Sequence, residues 1–190
     1  MSNIKEAVFA GGCFWCMEAP FVLTEGVETV KSGYTGGEKD YPTYEEVCTG
    51  ATGHFEAIKV WYDSQKLDYA KLLWVFFQSI DPTDPYGQFA DKGSQYEGAV
   101  FYNNGDERKT AEKFIDLLDK SGIFEKKISV KILPASEFFE AEEYHQEYYK
   151  KNKTHYKAYR QGSGRGPFLE KIWNDTNKST LDDILQKVRQ

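Results

Sequence analysis

Residues 7–17 read AVFAGGCFWCM, a short apolar run followed by two glycines and two closely spaced cysteines. The run Ala7–Ala10 is typical of a buried strand, and Gly11-Gly12 ends that strand. The residues from Cys13 to about Thr24 fit a helix. The sequence therefore predicts both cysteines at a strand-to-helix junction, around which the rest of the fold is arranged.

The other elements follow from hydrophobic periodicity. Further strands are predicted at residues 27–34, 54–62, 99–102 and 128–133. Helices are predicted at residues 68–80, with Asp68 as N-cap, and at 106–120. The central order is βαββαβ, with one further helix before the last strand. This order predicts an α+β two-layer sandwich, in which helices pack on one face of a mixed sheet in the ferredoxin-like manner.

The C-terminal third carries weaker patterns. We expect a helix at residues 138–149 and a Gly-rich coil at 161–167. The polar tail 174–190 is expected to be peripheral, with a short helix capped by Ser179–Asp182. Residues 1–190 are predicted to form a single catalytic domain, with its core at about 5–173.

Composition limits the class of protein. The 190-residue chain is 40% hydrophobic, has a formal net charge of −6, and has no run of Lys or Arg with interleaved exposed aromatics that would indicate nucleic-acid binding. No apolar run reaches about 18 residues and the start lacks a signal-peptide core, so we expect no membrane partner and a cytoplasmic, monomeric protein. The cysteines Cys13, Cys16 and Cys48 are too few for a secreted disulfide framework.

The first two cysteines suit thiol chemistry. At a helix N-terminus, free N–H groups can lower the pKa of Cys13 from about 8.5 to roughly 7 or below. Cys16 lies at i+3, close enough for a disulfide or a shared metal. Pro20 cannot donate to the carbonyl of Cys16, so the turn that holds Cys16 should deform easily.

Two further groups of residues suggest a site. Of Phe14 and Trp15, at least one should line the space beside Cys13 and hold a small apolar group. Within Thr52–Val60, Glu56 shares the face of Ile58 and Val60, and burial there would keep it protonated as a proton donor. His54 is expected to be structural.

The motifs resemble those of the A-type peptide methionine sulfoxide reductases. They occur in the family's order, over most of residues 7–173: GGCFW, PTYEEVC (42–48), TGHFE (52–56), DPTD (81–84), QFADKGSQY (88–96) and AEEYHQEYY (141–149). The resemblance implies repair of oxidised methionine, free or in proteins, as the S epimer of the sulfoxide.

The resemblance also implies the roles of the reacting groups. Cys13 would be the nucleophile and Glu56 the acid. Attack on the sulfoxide would leave Cys13 as a sulfenic acid, which a second thiol converts to a disulfide that an external dithiol, such as thioredoxin, reduces. No bound cofactor or metal is implied.

The substrate contacts carried over from the family complete the expected site. Tyr44 and Tyr96 would bind the sulfoxide oxygen, Phe14 and Trp15 would hold the S-methyl group, and Asp91 would orient the substrate. These parts suit the chemistry, because a sulfoxide oxygen leaves only when it is protonated and hydrogen-bonded.

The chain departs from the family in two places. The Gly-rich stretch 162–166 carries no cysteine, which excludes recycling through that tail and leaves Cys16, favoured by its position, or Cys48. Glu97 stands where the family commonly has arginine, which affects the expected binding of the flanking peptide.

Two other classes of function remain open on the residues alone. Cys13, Cys16, Cys48 and His54 could form a Cys₃His zinc site, although this leaves Phe14-Trp15 and Glu56 without a role. The C-x-x-C spacing would also serve a general dithiol–disulfide oxidoreductase.

Overall fold

The computed structural model describes residues 3–190 and contains the predicted junction. Strand β1 (Ile4–Gly11) is followed by helix α1 (Phe14–Val22). Gly12, between them, has φ of +76°, and a Cβ there would lie 2.5 Å from Cβ of Gln88 and 2.9 Å from Nη2 of Arg165. Only glycine suits both the left-handed backbone and this close approach, so the two glycines allow the chain to turn from sheet to helix.

The remaining elements span most of the chain. The strands are β2 (Val27–Thr35), β3 (Phe55–Asp63), β4 (Gly87–Gln88), β5 (Asp91–Lys92), β6 (Gly98–Tyr102), β7 (Lys131–Pro134) and β8 (Phe138–Glu140). The helices are α2 (Tyr44–Cys48), α3 (Tyr69–Phe77), α4 (Gly105–Lys120), α5 (Tyr148–Lys151), α6 (Lys153–Gly162), α7 (Arg165–Ile172) and α8 (Asp175–Arg189). Within residues 3–190, none of the helices has both the length and the apolar character needed to cross a membrane.

Six strands form one sheet in the order β7-β6-β1-β3-β2-β8. Strands β6 and β7 pair in parallel, and the other neighbours are antiparallel. Strands β4 and β5 form a separate short hairpin. The predicted mixed sheet with helices is confirmed.

The main core lies between the sheet and the helices. Helix α3 begins after Asp68, whose side chain accepts the Lys71 N–H, as predicted. Its predicted apolar side is fully buried at Leu72, Leu73, Phe76, Phe77 and Ile80. A smaller apolar cluster covers the other face of the sheet, at Val8, Ala10, Phe55, Ala57, Ala99 and Phe101.

The helix predicted at residues 138–149 is wrong. The segment instead contains β8, a 3₁₀ turn at Glu143–His145 and only then the start of α5. Strand β8 pairs with β2, and the Gln146 side chain bonds both the N–H and the carbonyl of Ser32. These long-range bonds outweigh the local helical pattern.

The predicted coil and peripheral tail are also wrong. Helices α6 and α7 cover most of residues 161–167, with a break at Gly164, whose φ is +91°. Helix α8 begins after Asn174, whose side chain accepts the Asn177 N–H, rather than at a capping box starting at Ser179. Its residues Leu181 and Ile184 are buried in the main core, because α8 packs on α3 and α4.

Candidate active site

Cys13 occupies the N-cap position of α1, and the residue is 6% exposed. The Phe14 N–H donates to Oε2 of Glu56 at 3.2 Å, and the Cys16 N–H donates to the carbonyl oxygen of Cys13 at 3.0 Å. The residue that follows the candidate nucleophile is therefore hydrogen-bonded, through its backbone N–H, to the candidate acid.

The two thiols of this turn differ in acidity. Burial, together with a hydrogen bond to Cys16, raises the pKa of the Cys13 thiol, contrary to the lowering expected at a helix N-terminus. The hydrogen bond from Cys13 lowers the pKa of Cys16, against the opposing effect of burial, and the positive charges of Arg165 and Arg160 lower it further. All three cysteines are free thiols. Within the pair, negative charge is therefore more favourable on Cys16 than on Cys13.

Glu56 is a buried carboxyl on β3. Its side chain lies on the core face with Ile58 and Val60, as the period-2 pattern predicts, and the residue is 2% exposed. Burial raises its pKa to about 8, against the opposing hydrogen bond from Phe14, while the negative charge of Asp91 raises it further. Glu56 therefore holds its proton at neutral pH and is equipped to donate it.

The two candidate tyrosines approach the same region from different elements. Tyr44 begins α2, and Tyr96 ends a 3₁₀ turn after β5. Burial and the charge of Glu56 raise the pKa of both phenols, so both keep their protons and can donate hydrogen bonds. The Cys48 sulfur lies 3.9 Å from the Tyr96 hydroxyl, which places the third cysteine beside this pair.

An aromatic wall stands next to Cys13. Trp15 stacks on Tyr148 with ring centroids 3.9 Å apart, and its Nε1 donates to Nδ1 of His145 at 3.0 Å. Phe14 is buried and lies against Tyr44 and His145, with centroid distances of 6.4 and 4.9 Å. Phe14 and Trp15 are thus held in place by contacts with neighbouring rings.

Glu142 connects this wall to α2. Its carboxylate accepts the Tyr44 N–H at 2.9 Å and the Tyr34 hydroxyl at 2.8 Å. Burial alone would raise the pKa of Glu142, but these hydrogen bonds lower it, so it remains ionised. Sequence reasoning assigned no role to Glu142 or His145, although both lie in the motif AEEYHQEYY; the incorrect helix for this segment hid their positions.

Asp91 and Glu97 have definite partners. The Tyr159 hydroxyl of α6 donates to Oδ2 of Asp91, which fixes the half-buried carboxylate of β5. Glu97 forms an ion pair with Lys131 of β7. The negative charge that stands in place of the family's arginine is therefore partly neutralised within the chain.

His54 is structural, as expected. Its Nδ1 accepts the Gly37 N–H at 3.2 Å, and its Nε2 lies 2.8 Å from the Lys39 carbonyl oxygen. Both ring nitrogens are occupied, so His54 has no lone pair for a zinc ion shared with the cysteines. Among residues 3–190, no group of three or more His, Cys, Asp and Glu is placed to hold a metal ion.

Comparisons with known proteins agree with these motifs. The family model described as peptide methionine sulfoxide reductase matches residues 5–177. The peptide methionine sulfoxide reductase MsrA of Bacillus velezensis is 53% identical over 92% of this chain and 99% of its own length. That of Bacillus subtilis is 53% identical over 91% and 98%.

Solved structures give the same result. Methionine sulfoxide reductase A of Corynebacterium diphtheriae is 31% identical, with a TM-score of 0.71 over 80% of this chain and 77% of that one. Mxr1 of Saccharomyces cerevisiae in reduced form is 34% identical, with a TM-score of 0.74 over 79% and 86%. The chain therefore belongs to the MsrA family of peptide methionine sulfoxide reductases, oxidoreductases that act on sulfur.

Proposed function

We propose that this chain reduces the S epimer of methionine sulfoxide, free and in proteins, through nucleophilic attack by Cys13. The observation that carries the proposal is the bond between the Phe14 N–H and Glu56, which joins a buried, protonated carboxyl to the turn holding Cys13. A sulfoxide needs a thiolate on its sulfur and a proton on its oxygen, and the bond from the residue after Cys13 to Glu56 supports a single site for both groups.

The first step moves the oxygen from one sulfur to another. Cys13 passes its proton to Cys16, which is hydrogen-bonded to it, and attacks the sulfoxide sulfur as thiolate. Glu56 protonates the sulfoxide oxygen, and that oxygen transfers to Cys13. The methionine sulfur gains two electrons, and Cys13 loses two and becomes a sulfenic acid.

The neighbouring side chains bind the substrate in this proposal. The hydroxyls of Tyr44 and Tyr96 donate to the sulfoxide oxygen, while Phe14 and Trp15 hold the S-methyl group. Asp91, fixed by Tyr159, orients the substrate. The raised pKa of both tyrosines supports their role as neutral donors, since burial disfavours the phenolate.

Recycling follows through Cys16. Cys16 attacks the sulfenic acid, a Cys13–Cys16 disulfide forms, and water leaves. Thioredoxin then reduces the disulfide, so no bound cofactor is needed. A Saccharomyces cerevisiae structure holds Mxr1 in complex with Trx2, which supports a protein dithiol as reductant. Cys48, beside Tyr96, is the alternative resolving thiol.

The protein would act as a single-domain monomer with a ferredoxin-like core. The order β6-β1-β3-β2, with every neighbouring pair antiparallel, supports this description of the core. A general dithiol–disulfide oxidoreductase would use the same two cysteines but would not depend on Glu56.

The test is consumption of each purified epimer with dithiothreitol. We expect loss of the S epimer alone, abolished by Cys13→Ser. Cys16→Ser should still release methionine in a first turnover, more slowly because Cys16 no longer takes the Cys13 proton, and should then fail to recycle with thioredoxin. Consumption of neither epimer by well-folded, reduced protein would refute the proposal, and recycling of Cys16→Ser at the parent rate would transfer the resolving role to Cys48.

A further inference from the structure

Arg165 is a buried cation whose hydrogen-bond partners carry no formal charge. The residue begins α7 and is 2% exposed. Its Nη1 donates to the Ser79 carbonyl oxygen at 2.6 Å, and its Nη2 donates to the Gly11 carbonyl oxygen at 2.8 Å. Within residues 3–190, no carboxylate forms an ion pair with it. Burying a charge costs free energy unless an opposite charge lies nearby, so an anion next to the Arg165 guanidinium would be stabilised.

The guanidinium lies against the turn that holds both active-site thiols. Gly11 precedes Cys13 in the chain, and Met17, whose Sδ lies 3.7 Å from Nη1 of Arg165, follows Cys16. Arg165 and Cys16 also line one small cavity of about 200 Å³, together with Arg160. The anion that this geometry can supply is the sulfur of Cys16.

We propose that Arg165 is a positioning residue whose charge holds Cys16 as a thiolate during recycling. The inference rests on the proposed function, since it concerns the resolving step of the same reaction. No family motif quoted above assigns a role to this arginine.

The acidity of Cys16 agrees with this placement. The hydrogen bond from Cys13 is the largest cause of its lowered pKa, and Arg165 exceeds Arg160 among the charges that add to it. Burial and the charge of Asp91 oppose the lowering. Three more groups interact electrostatically with Cys16: Glu56, Tyr156 and Tyr159.

The same charge acts in both halves of recycling. In disulfide formation, Cys16 gives up the proton that it took from Cys13, and its thiolate attacks the Cys13 sulfur. The S–S bond forms, the S–O bond of the sulfenic acid breaks, and the leaving hydroxide takes up one proton and departs as water. Cys16 is oxidised and Cys13 reduced. In the return step the thiolate of the reductant attacks Cys13 and expels Cys16, because the thiol of lower pKa is the better leaving group.

The direct test is a pH titration of Cys16 in a chain where it is the only thiol. Cys13→Ser with Cys48→Ser provides that background, and the serine hydroxyl keeps a donor beside Cys16. The ¹³Cβ chemical shift of labelled cysteine reports the thiolate. With Arg165 intact, we expect a midpoint below the ordinary value of about 8.5.

Variants separate charge from structure. Arg165→Gln, which keeps a donor for the Gly11 carbonyl, should raise the midpoint by about one unit or more, whereas Arg165→Lys should keep it low. Arg108→Gln, at an exposed position of α4, should leave it unchanged. A midpoint at or above 8.5 with Arg165 intact, or the same midpoint in Arg165→Gln, would overturn the inference. If Arg165→Gln does not fold, the midpoint of Cys16 in the single-thiol chain that retains Arg165 still tests the inference.

A rate measurement tests whether the charge of Arg165 matters for recycling. At pH 7, a rise of about one unit in pKa reduces the thiolate up to about tenfold, so disulfide formation after one equivalent of sulfoxide should slow by several-fold in Arg165→Gln. An unchanged rate would contradict the role in recycling. The titration itself needs no sulfoxide. It can therefore contradict the role of Arg165 while the reductase activity is observed, and it can support that role even if the activity is absent.

Discussion

The raised pKa of the buried Glu56 carboxyl predicts that turnover depends on pH. Burial raises its pKa to about 8, so the protonated acid predominates below that pH and is lost as the pH rises through it. We predict that kcat/KM for the S sulfoxide falls above about pH 8. Glu56→Gln, which cannot donate an acidic proton, should lower kcat by about 10²-fold or more.

The pH profile of the variant provides the control. Glu56→Gln retains an oxygen for the Phe14 N–H, so α1 should keep its position. Its remaining activity should lack the decline above pH 8. If the decline persists unchanged in Glu56→Gln, another group is the acid.

His145 positions Trp15 through one hydrogen bond. The ring is buried, and burial lowers its pKa, so the neutral imidazole keeps a lone pair on Nδ1 for the Trp15 N–H. His145→Phe should raise KM and lower kcat/KM about tenfold, the worth of one hydrogen bond of roughly 1.4 kcal/mol.

Rescue distinguishes positioning from packing. His145→Gln offers an acceptor again and should recover part of kcat/KM, with indole fluorescence returning toward the parent spectrum. Equal losses in the Phe and Gln variants would show that the Trp15 bond is not what matters at this position.

In helix α1, we expect Pro20 to make the turn that holds Cys16 easier to deform. It lies inside α1, where it cannot donate to the carbonyl of Cys16. Pro20→Ala supplies that donor, so we predict a more stable helix and disulfide formation slower by about two- to tenfold, as expected for a net hydrogen bond of about 0.5–1.5 kcal/mol. Single-turnover thiol counting measures the rate.

A proline elsewhere serves as the matched control. Pro85 lies in an exposed turn far along the chain from α1, and Pro85→Ala should leave the rate of disulfide formation unchanged. If the Pro20→Ala enzyme forms its disulfide as fast as the parent, Pro20 does not have the proposed role.

Sequence reasoning correctly predicted the elements whose apolar periodicity matches the face that they bury. The strand before Gly11 and the helix after Asp68 have apolar faces that match their periods, and both lie in the core. Strand β8 could not be predicted in this way, because its place depends on pairing with β2, more than 100 residues earlier in the chain. The same long-range packing brings His145, Glu142 and Arg165 to the site, whereas Cys13 and Glu56 were marked by their local context.

Helix α8 contributes to the stability of the whole molecule. Leu181 is fully buried in the main core, and the neighbouring Asp182 accepts a hydrogen bond from the indole Nε1 of Trp74 in α3 at 3.0 Å. Leu181→Ala should reduce the free energy of unfolding by about 2–5 kcal/mol in urea denaturation. Asp183→Ala, at an exposed position of the same helix, should change it by less than about 0.5 kcal/mol. Similar effects of the two substitutions would mean that α8 is peripheral after all.

The most direct measurement of the central claim is a trap of the oxygen on Cys13. Cys16→Ser protein is given one equivalent of S sulfoxide without reductant, then dimedone, and is digested and analysed by mass spectrometry. We predict one methionine released per protein chain and one dimedone adduct, on Cys13. Methionine formation with the adduct on Cys48, or with neither a dimedone adduct on Cys13 nor a Cys13–Cys48 disulfide, would contradict attack by Cys13.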